Sequence, residues 1–262
     1  MLAGPIRIFV GTEEKTKVPF DVLSSSIKKW ASVPVEITPM IGPKWTVPKG
    51  LHQGTGFSLR RFMIPAACNF EGFAIYLDAD QLLFSDISEL WEYANLLTDK
   101  RSVGCTYQTD KFSLKNPWPQ SSVMIIDCAN CGWVPEEIWN LLRGGYPYHD
   151  LMHLMFMRGK DISKPIDDFV LRIPNYWNHL NTYEDTVTRL LHYTKEPEQP
   201  WYKPEHSLAR LWETALGKAI ANGEVSKADF VAGLKLWHSP KIDKRPKQGL
   251  NPYYERYLSK FK

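Results

Sequence analysis

Asp78 and Asp80 flank a single alanine at the end of an apolar run, in the stretch Phe-Ala-Ile-Tyr-Leu-Asp-Ala-Asp-Gln-Leu-Leu-Phe at 73–84. Two carboxylates beside a buried segment are costly unless a counter-charge or water meets them. Residues two apart on a strand face the same side, so the two acids can converge on one point with Ala79 turned away. Hard oxygen donors suit Mg²⁺ or Mn²⁺, which bind through one or two carboxylates plus substrate phosphates. An ion held there stabilises a diphosphate leaving group as its charge grows. A glycosidase also uses two acids, but on opposite sides of the scissile bond. Neighbours on one strand face suit a shared ion better.

A second constellation is His149-Asp150-Leu151-Met152-His153. Histidines four apart share a helix face, as in the H-E-x-x-H zinc hydrolases. Here Asp is one methylene shorter than the Glu base, and no third ligand lies close in sequence. A zinc hydrolase therefore stays an alternative, as does a non-catalytic protein that binds sugar or an anionic surface.

The elements that must position these groups alternate. Strands are expected at 6–10, 33–38, 73–77, 103–107 and 122–127. Helices are expected at 18–30, 56–68, from a cap near Ser85 and Asp86 to about 97, and at 135–142, 149–158, 207–221 and 226–237. Stretches 175–180 and 196–204, rich in Trp, Pro and Asn, read as loops. Alternation of strand and helix predicts an α/β fold with a mostly parallel central sheet. In such sheets ligands lie beyond the carboxyl ends of the strands, where Asp78 and Asp80 fall.

The chain has 262 residues, 44% hydrophobic and 23% charged, as in a soluble globular protein. It has no apolar run long enough to span a bilayer, and its start reads as a first strand, so a cytoplasmic location is the default. Four cysteines are too few for a disulfide framework at this length, and reduced structural thiols are expected. Residues 241–262 carry seven Lys or Arg against two acids. This local +5 within an overall +3 leaves −2 on residues 1–240. A basic, aromatic tail suits an anionic surface; packing by its aromatic residues is the other reading.

Several segments together resemble glycosyltransferase family 8, the retaining GT-A enzymes that include glycogenin and bacterial lipopolysaccharide galactosyltransferases. They are the strand at 6–10, Arg61-Phe62-Met63-Ile64-Pro65, Tyr76-Leu77-Asp78-Ala79-Asp80, the helix start at 86–91, Pro119-Gln120-Ser121-Ser122-Val123-Met124, Tyr148-His149-Asp150, and His192-Tyr193 followed by Pro200-Trp201. Their order spans about residues 5–201. The resemblance implies a GT-A fold, with residues 1–205 as the nucleotide-sugar domain, 206–240 as a helical extension packed on it, and 241–262 as the tail. It implies transfer of a hexose from UDP-glucose or UDP-galactose to a hydroxyl acceptor, with retention. Asp78, Asp80 and His192 would hold Mn²⁺ (or Mg²⁺). Phe9, Val10, Gly11, Thr12, Arg61, Ala79, Ser121 and Lys195 would join them around the UDP-sugar. Asp150, His149 and Gln120 would face the sugar. Some bacterial members have a basic, Tyr-containing C-terminus that associates with membranes, so the tail would touch the inner face of a membrane; no nucleic acid partner is expected.

The chain also departs from the family. Lys195 and Gln199 stand where the late motif has Gly and Lys. Only Asp150 remains of the three polar residues in its D-Q-D element, and Gln120 and Ser122 replace Asn and Gly before Val-Met.

Overall fold

A computed structural model describes residues 4–108, 117–237, 255 and 257–261. Among them the strands are β1 (Ile6–Gly11), β2 (Val35–Pro39), β3 (Phe73–Asp78), β4 (Gln81–Leu83), β5 (Val103–Gln108), β6 (Trp118–Asp127), β7 (Val170–Arg172), β8 (His179–Leu180) and β9 (Leu190–His192). The helices are α1 (Lys17–Trp30), α2 (Ile64–Ala67), α3 (Ile87–Trp91), α4 (Pro135–Arg143), α5 (Tyr148–Met152), α6 (Ala209–Ala221) and α7 (Lys227–Trp237).

Six strands form the central sheet in the order β2-β1-β3-β6-β5-β7. Five run in one direction and β6 opposes them, so the sheet is mixed α/β and mostly parallel, as expected. Its central strands are apolar on both faces. Ile8, Val10, Ile75, Leu77, Val123 and Ile125 pack to one side with Leu23 and Ile27 of α1 and Leu90 of α3. Phe9, Tyr76, Met124 and Ile126 pack to the other with Ile64 of α2, Ile138 of α4 and Leu151 of α5. Burial on both faces explains the nearly unbroken apolar runs, and each such side chain contributes about 1.5–3 kcal/mol. A third cluster joins Val18 and Val22 of α1 to Tyr193, Trp201, Trp212 of α6 and Phe230 and Trp237 of α7. The helical C-terminal region thus packs on the outer side of α1.

A second sheet, β4-β9-β8, has no counterpart in the sequence reading. Strands of two or three residues are too short to show a periodicity. Other expectations shift. Residues 56–68 do not form one helix: turns lead to a 3-10 segment at Arg60–Met63, and only then does α2 begin, with Pro65 in its first turn. Proline is tolerated there because a first-turn N–H has no intrahelical partner. The helix expected at 149–158 breaks at Leu154, which takes the left-handed conformation (φ 57°), and resumes as a 3-10 turn at Met155–Arg158. The helix expected to run to about 97 becomes a 3-10 turn at Glu92–Leu96; Asp86 caps its start by accepting from Ser88 N–H at 2.9 Å.

All four cysteines are free and buried. No helix among the described residues is long and apolar enough to cross a membrane. The tail contact at 241–262 lies largely outside the described residues; within them Tyr257 packs into the cluster of α6 and α7.

Candidate metal centre

β1 and β3 run parallel and end side by side, with Gly11 opposite Asp78. Asp78 is the last residue of β3, and Ala79 and Asp80 form the turn into β4. The turn, not the strand pleat, therefore brings the second carboxylate round to the first. Ala79 is fully buried and donates its N–H to Gly11 O at 3.0 Å, which fixes that turn against β1. β4 then pairs antiparallel with β9, placing Gln81 opposite His192. The small second sheet thus delivers the distant histidine. One ligand atom each from Asp78, Asp80 and His192 lies within 4.8 Å of the others. Among the described residues no other three His, Cys, Asp or Glu side chains converge in this way.

Asp78 accepts a short hydrogen bond from the Tyr76 hydroxyl, and Arg61 Nη2 stands 3.4 Å from the same oxygen. Burial raises the Asp78 pKa against the pull of Arg61, and burial likewise keeps the Tyr76 hydroxyl protonated as a donor. Arg61 is only 5% exposed. It donates to Ser58 O at 2.8 Å, to Ser121 Oγ at 2.9 Å and to Ser121 O, and its guanidinium lies 4.5 Å from the centre of the Tyr76 ring. The Nε and Nη1 donors of Arg61 are used inside the protein, and Nη2 faces Asp78. Its charge balances Asp78 from within and leaves the opposite side of the carboxylate pair to a ligand.

Gly11 is required by this packing. A Cβ there would lie 2.2 Å from Tyr76 Oη and 2.6 Å from Phe57 Cδ2. Gly11→Ala is expected to push the Tyr76 hydroxyl away from Asp78 and to destabilise the fold by about 1–3 kcal/mol, the usual range for overpacking; urea unfolding measures it, and an unchanged midpoint would show that the ring yields freely.

Three neutral amides hold the metal-facing groups from behind. Gln81 Oε1 accepts from Asp78 N–H at 3.2 Å, while its Nε2 donates to Ser122 O at 3.1 Å. Gln199 Nε2 donates to Asp80 Oδ2 at 2.8 Å and to Tyr193 O at 2.7 Å. Asn178 Nδ2 donates to Thr106 Oγ1 at 3.1 Å and Ser122 Oγ at 3.0 Å, and its Oδ1 lies 2.9 Å from His192 Nδ1. That oxygen can only accept, so His192 carries its proton on Nδ1. The lone pair of neutral His192 is then on Nε2, which faces Asp80 Oδ1 at 3.1 Å. Asp80 Oδ1 is itself buried with no hydrogen-bond partner among the described residues. A buried carboxylate oxygen without a donor, facing an imidazole lone pair, fits a divalent cation with oxygen and nitrogen ligands.

Protons compete with such an ion. Burial lowers the His192 pKa, but Asp80 and Asp78 outweigh it, and the net shift is upward. A raised histidine adds stability to the metal-free protein below the unfolded value of about 6.5, and this is lost as pH rises through the folded value. The affinity for Mn²⁺ should move the other way. It is expected to rise by roughly tenfold per pH unit below the folded pKa and to level off above it. Mn²⁺ titration by electron paramagnetic resonance between pH 6 and 8.5 measures this; a flat profile would separate His192 from the ion.

The structure brings Asp78, Ala79, Asp80, His192, Arg61, Ser121 and Gly11 together. Phe9 and Val10 spend their side chains in the two core faces. Thr12 bonds to Thr16 Oγ1 at 3.0 Å, and its carbonyl accepts from Arg60 at 2.8 Å. Gln120 donates to Gln108 at 3.2 Å. Asp150 and Lys195 are exposed, and no described hydrogen bond or ion pair ties either to the cluster. Neither His149 nor His153 gains a third protein ligand among the described residues. Gln81 and Asn178 carry no expectation from the sequence. Gln81 directly follows the two aspartates, a signal that could have been read; Asn178 lies in a segment taken for loop.

No family model matches the chain. A curated relative, Protein CDI of Arabidopsis thaliana, is 28% identical, with 79% of this chain and 85% of that protein covered. Among solved structures, galactosyltransferase LgtC in complex with donor and acceptor sugar analogues is similar at a TM-score of 0.55 and 12% identity, over 84% of this chain and 100% of that one. Glycosyltransferase GlyE of Streptococcus pneumoniae TIGR4 is similar at 0.57 and 13%, over 84% of this chain. The bifunctional glycosyltransferase WbbM is similar at 0.52 and 11%, over 82% of this chain. The chain spans 64% of the GlyE chain and half of the WbbM chain. The fold is that of GT-A glycosyltransferases.

Proposed function

We propose that this protein is a metal-dependent glycosyltransferase that moves a hexose from UDP-glucose or UDP-galactose to a hydroxyl acceptor with retention. The observation that carries the reading is the Asp78, Asp80 and His192 cluster at the carboxyl end of β3 in a GT-A fold. Asp78, Asp80 and His192 would hold Mn²⁺ or Mg²⁺, which supplies charge stabilisation to the departing diphosphate. Arg61 and Tyr76 keep Asp78 oriented, and Gln199 and Asn178 do the same for Asp80 and His192. The backbone at 9–12 would border the nucleotide, beside Asp78. Lys195 is assigned to the diphosphate, where a flexible cation on an exposed segment can fold over a bound donor. Asp150, with Gln120 and His149, is assigned to the sugar. In the transfer the bond from the anomeric carbon to the diphosphate oxygen breaks, a bond to the acceptor oxygen forms, and the acceptor hydroxyl's proton passes to the departing diphosphate and from it to solvent. Cytoplasmic placement with a peripheral membrane contact through 241–262 belongs to the same proposal.

The test is UDP release from UDP-glucose and UDP-galactose, with Mn²⁺ and with chelator. Release from at least one donor that depends on Mn²⁺ is expected. Absence of release from every UDP-sugar, with the folded protein in hand, overturns the reading.

A further inference from the structure

His149 and His153, one turn apart, have a geometry of their own. His153 Nδ1 lies 2.8 Å from Pro119 O, the carbonyl of a β6 residue. A carbonyl only accepts, so His153 carries its proton on Nδ1 and has its lone pair on Nε2. His149 Nε2 stands 3.2 Å from that Nε2, with the two ring centres 4.2 Å apart. Two imidazoles sharing a tetrahedral Zn²⁺, at about 2.0–2.1 Å each, place their nitrogens roughly 3.3 Å apart. The present separation matches the spacing of two imidazole nitrogens on one ion. The side chain of Trp118 stands edge-on to His153, with ring centres 5.6 Å apart, and restricts that ring from behind.

We propose that His149 and His153 form a second metal site, selective for Zn²⁺ and distinct in chemistry from the carboxylate cluster. Imidazole pairs favour Zn²⁺ over Mn²⁺ and Mg²⁺, whereas oxygen-rich sites suit the latter two. A histidine ligand that donates its other N–H to a backbone carbonyl is the usual support for such an ion, and Pro119 O supplies it here. Burial and the neighbouring His149 lower the His153 pKa, against Pro119 and Asp150. Two protein ligands leave two positions to water or to a bound small molecule, so the site is open and exchangeable. It lies on α5 and the residue that follows it, against the β6 segment that also contains Gln120 and Ser121. Nothing in this inference depends on the transferase reading.

Zn²⁺ binding to the full chain, followed by equilibrium dialysis, tests it. His149→Ala is expected to lower the number of bound Zn²⁺ per chain by one, or to weaken that binding at least tenfold, with an unchanged circular dichroism spectrum. A second measurement needs no variant: Zn²⁺ should protect His149 and His153 of the wild-type protein from carbethoxylation, read by peptide mapping, and Mn²⁺ at the same concentration should not. Unchanged Zn²⁺ binding in His149→Ala overturns the proposal, because the pair is then an N–H···N hydrogen bond and nothing more. Absence of protection by Zn²⁺, or equal protection by Mn²⁺, overturns it as well. Loss of UDP release in the same variant bears on the sugar-side assignment alone.

Discussion

Asp80→Asn is expected to lower Mn²⁺-dependent UDP release by about 10²- to 10³-fold in kcat/KM, a loss of about 2.7–4 kcal/mol in transition-state stabilisation. The change is nearly isosteric and leaves the packing intact. Gln199 Nε2 can still donate to the oxygen of the new amide, as it now does to Asp80 Oδ2 at 2.8 Å. The amide nitrogen, however, would face His192 Nε2, which is 3.1 Å from Asp80 Oδ1. An N–H pointed at that lone pair replaces the ion with a hydrogen bond. The site then lacks both a negative charge and an open imidazole. Asp78→Asn should behave differently. Arg61 is buried, and Asp78 faces it at 3.4 Å. Removing that charge leaves a buried cation unpaired, so stability should fall by about 3–5 kcal/mol together with activity. Urea unfolding of the two variants separates the roles. If Asp80→Asn keeps its rate and its response to Mn²⁺, the cluster is not the metal centre.

The contrast between these two carboxylates shows what the sequence could and could not convey. An apolar strand that stops on two acids is visible because the burial of its side chains and the charge that follows conflict in adjacent residues. That the acids meet through a turn rather than a pleat is invisible, since both geometries place residues two apart on one side. His192 is legible only through its resemblance to an ordered family pattern; no local feature of a three-residue strand marks it. Asn178 was hidden for a related reason. A neutral amide in a stretch rich in Trp and Asn reads as loop, and its role depends on Thr106 and Ser122, which only the folded sheet brings to it. Five strands of the central sheet were readable because each is long enough to bury a face; the three-residue β7 at its edge was not. The 3-10 segment at Arg60–Met63 was not, because Phe57, Ile64 and Pro65 stand at helical spacings from Arg61 and suggest one continuous helix, while its head group is spent on the site.

Asn178→Leu is expected to raise the Mn²⁺ concentration for half-maximal activity by about 10- to 100-fold, the range for losing the partner of a metal-bound histidine, while kcat at saturating Mn²⁺ stays within a few-fold. Leucine keeps the branched shape and heavy-atom count of asparagine, though its methyl groups are bulkier, and removes the acceptor 2.9 Å from His192 Nδ1. With that acceptor gone, the imidazole can carry its proton on Nε2 instead and donate it to Asp80 Oδ1, the buried oxygen that now lacks a donor. An incoming ion must then displace that proton and restore the original tautomer, so the cost falls on metal affinity and not on the chemistry once the ion is bound. Ser122 and Thr106 lose a shared donor as well, which should lower stability by about 1–3 kcal/mol. That second effect could imitate the first if the variant merely loosened the site. Asn178→Asp is the control. Aspartate restores an acceptor at Nδ1, and its second oxygen can accept from the Thr106 and Ser122 hydroxyls, which then donate instead of accepting, so it should recover Mn²⁺ affinity. If the two variants lose affinity equally, Asn178 acts through packing, and the tautomer of His192 is set elsewhere.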